Sequence, residues 1–333
     1  MNLISRCLSP RLLGAAALAV ASMGAHAADK VIFQLDWLPG GDKAAAYVAL
    51  KQGFFAAEGL DVTVQSGRGS ADAVTKVATG AADMGTGGIS ALMMAAAESG
   101  VPVKAVYSVY SKQPDAIFTV KGAGIDGLKS VGGKTVATAP FSSSNTTWPV
   151  ILQANGIDPA SVKLLKVDPA TLAPLLAQGK VDATINWITV APLFERVLRQ
   201  AGKELLVLPW STQGLDGYGL TLFASDKMIR ERPDVLRRVL RAYAKATDFA
   251  LKNPEAAAAD LKAIVPEMDV AVAAGEFRAS IPLIRNEVSA RTGMGAFDPA
   301  LLRTTWSWVA RAMNYPADKI DPEKLVDRRF APK

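Results

Sequence analysis

Histidine and cysteine are almost missing from this sequence, with one of each in 333 residues. Both fall near the start, at Cys7 and His26. The segment that holds them has the layout of a secretory signal peptide. Arg6 and Arg11 form a short basic region, Leu12 to Met23 is apolar, and Ala25-His26-Ala27 is a small-residue cleavage signal. Residues 1–28 are assigned to this signal, with cleavage expected near Ala27 and a periplasmic destination. A membrane anchor is the alternative reading, but the apolar run is short for a span and has no stop-transfer flank. Cys7 precedes the run, where a lipoprotein cysteine would follow it. No later segment reaches spanning length without charges.

Loss of that segment would leave a chain with neither residue. That excludes Cys and His nucleophile–base pairs, His- or Cys-based zinc sites and disulfides. Catalysis would have to use Ser, Lys, Asp, Glu or Tyr. No catalytic residue, metal site or cofactor is assigned. Of the formal charge of +6, Arg6 and Arg11 carry two, which leaves about +4 spread along the chain. A basic tract with interleaved aromatics is also lacking, so nucleic acid is not an expected partner.

Apolar residues, by contrast, make up 50% of the chain. The remaining stretch of about 305 residues suits two domains or one large one. A weak internal repeat favours two. Ala57-Glu58-Gly59-Leu60-Asp61 returns as Ala154-Asn155-Gly156-Ile157-Asp158, and Thr79-Gly80-Ala81-Ala82-Asp83 as Gln178-Gly179-Lys180-Val181-Asp182. The offsets are 97 and 99 residues. Within each unit strands alternate with helices, as in parallel sheets with right-handed crossovers. The first unit reads as strands 30–36, 60–65, 83–85 and 103–109 with helices 44–57, 71–78 and 90–98. The second reads as strands 134–138, 162–167 and 183–187 with helices 146–154 and 171–178. A helical tail (226–253, 254–264, 299–313) is expected to pack back on the first lobe. Strands near 116–120 and 218–224 would cross between lobes. The expected fold class is α/β, a two-lobed binding-protein architecture with parallel-rich sheets, flanking helices and a cleft between lobes. The boundaries are 29–117 for the first part of lobe I, 118–220 for lobe II and 221–333 for the return.

In open parallel sheets ligands bind beyond the carboxyl ends of the strands. Here those loops are rich in Gly, Ser and Thr, or carry Trp beside an acid or amide. They run through Asp36 to Lys43, Ser66 to Ser70, Gly85 to Ser90, Pro140 to Thr147, Asp168, and Asn186-Trp187. Glycine admits close approach to the backbone. Hydroxyls at helix starts sit beside unpaired N–H groups, a setting for anionic or strongly polar groups. Ordinary N-capping explains Ser70, Ser90 and Thr146 one at a time, and a shared cleft explains the set. Neither Gly-rich stretch carries a complete nucleotide fingerprint. Trp37, Phe141, Trp187, Trp210 and Tyr218 at strand ends are core plugs or walls for a planar ligand. Asp36 is a cap or salt-bridge partner, or an acceptor for ligand N–H groups. Arg68 is solvated, or pairs with a ligand anion. The candidate contacts are Asp36, Trp37, Asp42, Tyr47, Arg68, Thr86, Ser90, Ser143, Asn145, Thr146, Asn186, Trp187 and Tyr218.

Gln34-Leu35-Asp36-Trp37, Tyr47-Val48-Ala49, Gly53-Phe54-Phe55 and Glu58-Gly59-Leu60-Asp61-Val62 resemble the sulfonate/nitrate/taurine and thiamine-pyrimidine-precursor binding proteins. The Gly80 to Met84 and Gly179 to Ala183 segments match as well. The resemblance covers about Val31 to Phe223 and extends loosely over the tail. It implies two lobes closing on one solute, with an ABC permease and its ATPase as partners and a monomeric chain. In the pyrimidine branch Pro, Asn, Thr and His follow Asp-Trp. Asp36, Trp37 and Pro39 fit that pattern, whereas Gly40-Gly41-Asp42-Lys43 departs from it. The sulfonate branch uses Ser/Thr loops, which abound here. The expected solute is small, polar or planar, with a heteroaromatic or anionic group: a pyrimidine-type precursor, a sulfonate or an aromatic acid. Enzymes of pyrimidine synthesis resemble the chain in fold, but their chemistry uses an active-site histidine. A sensor module that presents ligand to another membrane partner is the third class.

Overall fold

The structure is a computed structural model that describes residues 27–331. The signal-peptide reading of residues 1–28 therefore lies almost entirely outside the described residues. Among the described residues ten strands form two five-stranded sheets. The first holds β1 (Asp29–Gln34), β2 (Leu60–Gln65), β3 (Met84–Gly88) and β4 (Val103–Ser108). The second holds β5 (Asp115–Val120), β6 (Thr135–Thr138), β7 (Lys163–Lys166), β8 (Ala183–Trp187) and β9 (Leu205–Pro209). The chain then returns to the first sheet as β10 (Leu220–Ser225). The strand orders are β2-β1-β3-β10-β4 and β7-β6-β8-β5-β9. Each sheet thus repeats one pattern, and the strand in its fourth place is the one that has crossed over.

The expectation of parallel sheets needs correction at those crossing strands. β10 runs antiparallel to β3 and β4, and β5 antiparallel to β8 and β9. A chain that enters a sheet from the opposite lobe arrives from the opposite end, so it must run against its neighbours.

Alternate side chains of the inner strands are buried on opposite faces, the pattern of a sheet covered by helices on both sides. In the second sheet Ile117 and Val136 join one core with Trp148 and Trp210, while Phe118 and Ala137 join another with Phe194 and Leu198. In the first sheet Phe33 packs with Tyr47, Tyr107 and Tyr243, and Phe223 packs with Leu92 and Trp306 on the other face. Each large apolar side chain so buried is worth about 1.5–3 kcal/mol.

The repeat has a structural cause. Asp83 Oδ2 accepts the Ile32 N–H at 2.8 Å, and Asp182 Oδ2 accepts the Thr135 N–H at 2.7 Å. Asp83, just before β3, ties that strand to β1, and Asp182, just before β8, ties its strand to β6. Gly59 and Gly156 adopt φ of 69° and 68°, left-handed values that a side chain would strain. They make the same turn in each lobe.

The helical readings hold with two breaks. The expected helix 44–57 divides into Ala44–Lys51 and Phe54–Ala57. The expected helix 226–253 divides into Asp226–Glu231 and Pro233–Lys252, because Pro233 pushes Arg232 out of helical geometry. A helix at Val270–Ile284, absent from the sequence reading, packs against Ala191–Gln200 of the second lobe. The tail does not serve the first lobe alone. Helix Pro299–Met313 also sends Ala312 and Trp308 into the second lobe's core.

Candidate functional site

β1 delivers the chain to the cleft. Beyond it Leu35 N–H donates to the Gln65 carbonyl at 2.8 Å, and the next residue, Asp36, is buried with its strand end. A buried carboxylate needs partners, and Asp36 has them. Thr86 Oγ1 donates to Asp36 Oδ1 at 2.8 Å and accepts the Asp36 N–H at 3.0 Å. Lys43 Nζ lies 3.1 Å from Asp36 Oδ1 and 3.4 Å from Asp42 Oδ2, with only 1% of its side chain exposed. Burial works against the ammonium, but Asp36 and Asp42 outweigh it and hold Lys43 above the ordinary lysine range.

A third carboxyl completes the cluster. Glu276, from helix Val270–Ile284, accepts the Gly41 N–H at 2.6 Å. Burial and the nearby Asp42 push it up to about 8, against the Gly41 N–H and Lys43. Gly41 lies so close to that helix that a Cβ would fall 1.7 Å from the Ala273 carbonyl oxygen. Only glycine lets the loop and the helix meet.

The second lobe closes over this floor. Thr189 Oγ1 donates to Asp42 Oδ2 at 2.9 Å, and Ala71 N–H donates to the Phe141 carbonyl at 3.0 Å. The Trp187 ring lies over Lys43 Nζ, 4.8 Å from its centroid, and meets Tyr110 edge-on at 6.0 Å. Asp115 pairs with Trp187 across β5 and β8 and accepts the Ser144 hydroxyl at 2.6 Å. Burial pushes Asp115 up to about 6, while hydrogen bonds from Ser144, Trp187 and Thr147 oppose the shift.

Between the lobes lies a recess. Asp36, Trp37, Asp42, Lys43 and Ser70 line it from the first lobe. Ser142, Ser143, Asn186 and Trp187 supply the polar and aromatic wall of the second. Two lining atoms stand out: Asp42 Oδ1 and Lys43 Nζ are buried and have no hydrogen-bond partner among the described residues, although Lys43 Nζ lies within ion-pair distance of two carboxylates. Such a carboxylate oxygen is costly unless something fills its lone pairs.

Of the thirteen candidate residues, the structure brings Asp36, Trp37, Asp42, Ser143, Asn186 and Trp187 together at this recess. Four others stand behind it. Thr86 supports Asp36, and Ser90 reaches the Ser143 carbonyl at 3.5 Å. Asn145 fastens its own loop through Thr138 and Ala139, and Thr146 contacts the Met94 sulfur. Three lie elsewhere. Tyr47 is packed in the first lobe's core. Arg68 is mostly exposed, pairs with Asp72 and lies over the Phe141 ring. Tyr218 is buried against Phe297, with its hydroxyl receiving the Asp298 N–H. For Asp36 the ion-pair reading has its partner in Lys43.

Sequence reasoning passed over Lys43, Glu276, Thr189 and Asp115. Lys43 stood in the loop after Asp36-Trp37 but counted only as a departure from a pattern. Glu276 had a usable signal. Asp269 caps an apolar run, accepting from the Ala271 and Val272 N–H groups. A lone acid inside the buried face of such a helix marks a polar site.

The family model described as "NMT1/THI5 like" matches residues 41–257, well over half of the chain. The riboflavin-binding protein RibY of Chloroflexus aurantiacus is 26% identical over 99% of this chain and 95% of its own length. The 4-amino-5-hydroxymethyl-2-methylpyrimidine phosphate synthase THI13 of Saccharomyces cerevisiae is 25% identical, covering 68% of each chain. Among solved structures, the alkanesulfonate-binding protein SsuA of Xanthomonas axonopodis pv. citri superposes with a TM-score of 0.71. It is 14% identical and covers 91% of this chain and 98% of its own, a likeness of fold.

Proposed function

Since the chain belongs to the NMT1/THI5-like family, we propose that it is the capture component of an ABC-type importer. It works in the periplasm after export and hands one solute to a membrane permease. The observation that carries this reading is the recess itself. Its wall is drawn from both lobes, and the Thr189–Asp42 hydrogen bond joins them at its edge. A site assembled by closure suits capture and release, because a ligand that touches both lobes favours the closed form.

The lining narrows the solute. Trp37 and Trp187 in the lining suit a flat ring. Asp42 Oδ1 calls for a hydrogen-bond donor. An anion finds no free cation among the lining residues, since Lys43 already stands between two carboxylates. The solute is therefore a planar, nitrogen-bearing ring with N–H donors, such as an aminopyrimidine or a flavin-type ring. The anionic half of the sequence expectation ranks second, since an anion would rest on the Ser70 and Ser143 helix starts alone. Binding is preferred to catalysis because RibY, similar over 99% of the chain, is named a binding protein, and because the chain's one histidine falls in the segment read as a signal peptide.

Thermal shift with the exported chain tests both points. A true ligand at 100 times its Kd adds about 2.7 kcal/mol. The expected result is stabilisation by 4-amino-2-methylpyrimidine or riboflavin and none by alkanesulfonates. Stabilisation by sulfonates alone rejects the solute class. Consumption of the stabilising solute by the purified protein rejects the binding role.

A further inference from the structure

The recess has a neighbour. A second chamber shares Trp37, Asp42, Asn186 and Val190 with it, so the two adjoin. Its own surface is different in kind. Leu38 and Pro39 come from the first lobe, and Ala173, Leu193 and Phe194 from the second. Its ionisable members are both acids, Asp42 and Glu276. Exposed Ala170 also lines it, in a stretch that leads out to solvent.

Resting on the reading of the recess as a solute site, we propose that the solute is a two-part molecule. Its hydrogen-bonding ring fills the inner recess, and an uncharged, largely apolar substituent extends past Trp37 into the outer chamber. The chemistry of the walls supports this division. The inner recess presents hydroxyls, an amide and the carboxylate–lysine cluster. The outer chamber presents aliphatic and aromatic carbon with two acids, which disfavours a phosphate, carboxylate or sulfonate on the substituent. Glu276 is held towards its neutral form by burial and Asp42, so it offers one hydrogen bond rather than a countercharge. The compact ring alone would leave the chamber's apolar wall in water. Each carbon added towards that wall removes apolar surface from solvent.

Calorimetric titration with 4-amino-2-methylpyrimidine and its 5-alkyl homologues, methyl to butyl, tests the proposal. Affinity is expected to rise about fourfold for each added methylene. In Ala170→Trp, where an exposed side chain is enlarged at the chamber's rim, the gain disappears while the parent ring binds within about twofold of wild type. Affinity that stays flat or falls along the series in the wild-type chain overturns the proposal. So does an Ala170→Trp variant that leaves the gain intact. Toluene serves as a probe of the outer chamber alone, read by saturation-transfer NMR. If no pyrimidine binds but toluene contacts the wild type and not Ala170→Trp, the chamber stands and the ring class of the proposed function fails. If the parent ring binds and the homologues gain nothing, the proposed function stands and the two-part solute fails.

Discussion

Four residues beyond Ile32 the first lobe places Asp36, and four beyond Thr135 the second places Ala139. Three residues beyond the matched aspartates, Thr86 in one lobe stands where Ile185 stands in the other. The two sheets share their strand order and the Asp83 and Asp182 ties. They differ where their strands reach the cleft. The first lobe makes a charged floor of Asp36, Asp42 and Lys43, with Glu276 added by the tail. The second lobe answers with Trp187, Asn186 and serine hydroxyls, and touches the charges through Thr189. A common frame holds the lobes, and the difference between their strand ends makes the site.

If the charged floor is what sets the first lobe apart, its removal by halves must be expensive. Lys43→Met leaves Asp36 and Asp42 facing each other in a buried site. The expected cost is about 3–5 kcal/mol in urea denaturation, the range for breaking a buried ion pair. Exchanging all three together, with Asp36→Asn and Asp42→Asn, should recover most of that loss, since the desolvation of the charges goes with them. A Lys43→Met chain as stable as wild type would break the contrast between the lobes. A triple variant that recovers stability but no longer binds solute would sharpen it, by assigning the cluster to binding rather than to folding.

A smaller effect follows from the acid that completes the floor. Glu276 sits at about 8 in the folded chain, against an ordinary 4.5. Between those values the folded state keeps a proton that the unfolded chain releases. Stability therefore falls as pH rises through this window and levels off above about 8. Asp115, raised from 3.8 to about 6, contributes the same sign at lower pH. Glu276→Gln should accordingly flatten the fall in Tm between about pH 6 and 8 and lessen it below about 6, where the Asp115 share remains. Equal slopes for variant and wild type in thermal melts would remove Glu276 from the floor.

The comparison also explains what was legible in the chain. The repeat could be read because its aspartates and glycines answer to backbone geometry, which recurs wherever the frame recurs. Asp36 and Trp37 could be read because an acid ending an apolar strand is out of place. Glu276 escaped because its partner Gly41 lies 235 residues away. Nothing local says that two such segments meet. Lys43 escaped because a lysine in a glycine-rich loop looks solvated until its two carboxylates are seen around it. Arg68, read as solvated or as a partner for a ligand anion, stands at the surface with Asp72, four residues on, beside it. The alternation of strands and helices was legible, but the direction of β5 and β10 depended on which lobe the chain arrives from.

The matched aspartates give the finest test of the common frame. Asp83→Asn and Asp182→Asn each weaken a carboxylate bond to a strand N–H, and each should cost on the order of 1 kcal/mol. Were the two sites identical the costs would agree. Asp83, however, also has Arg232 at 3.5 Å, with both side chains about one-third exposed. Its loss should therefore exceed that of Asp182 by a few tenths of a kcal/mol at low salt. Raising the salt to about 1 M contracts the Debye length to about 3 Å and should erase the excess without touching the shared part. An excess that survives high salt would mean that the two lobes differ at their strand ties as well as at their strand ends.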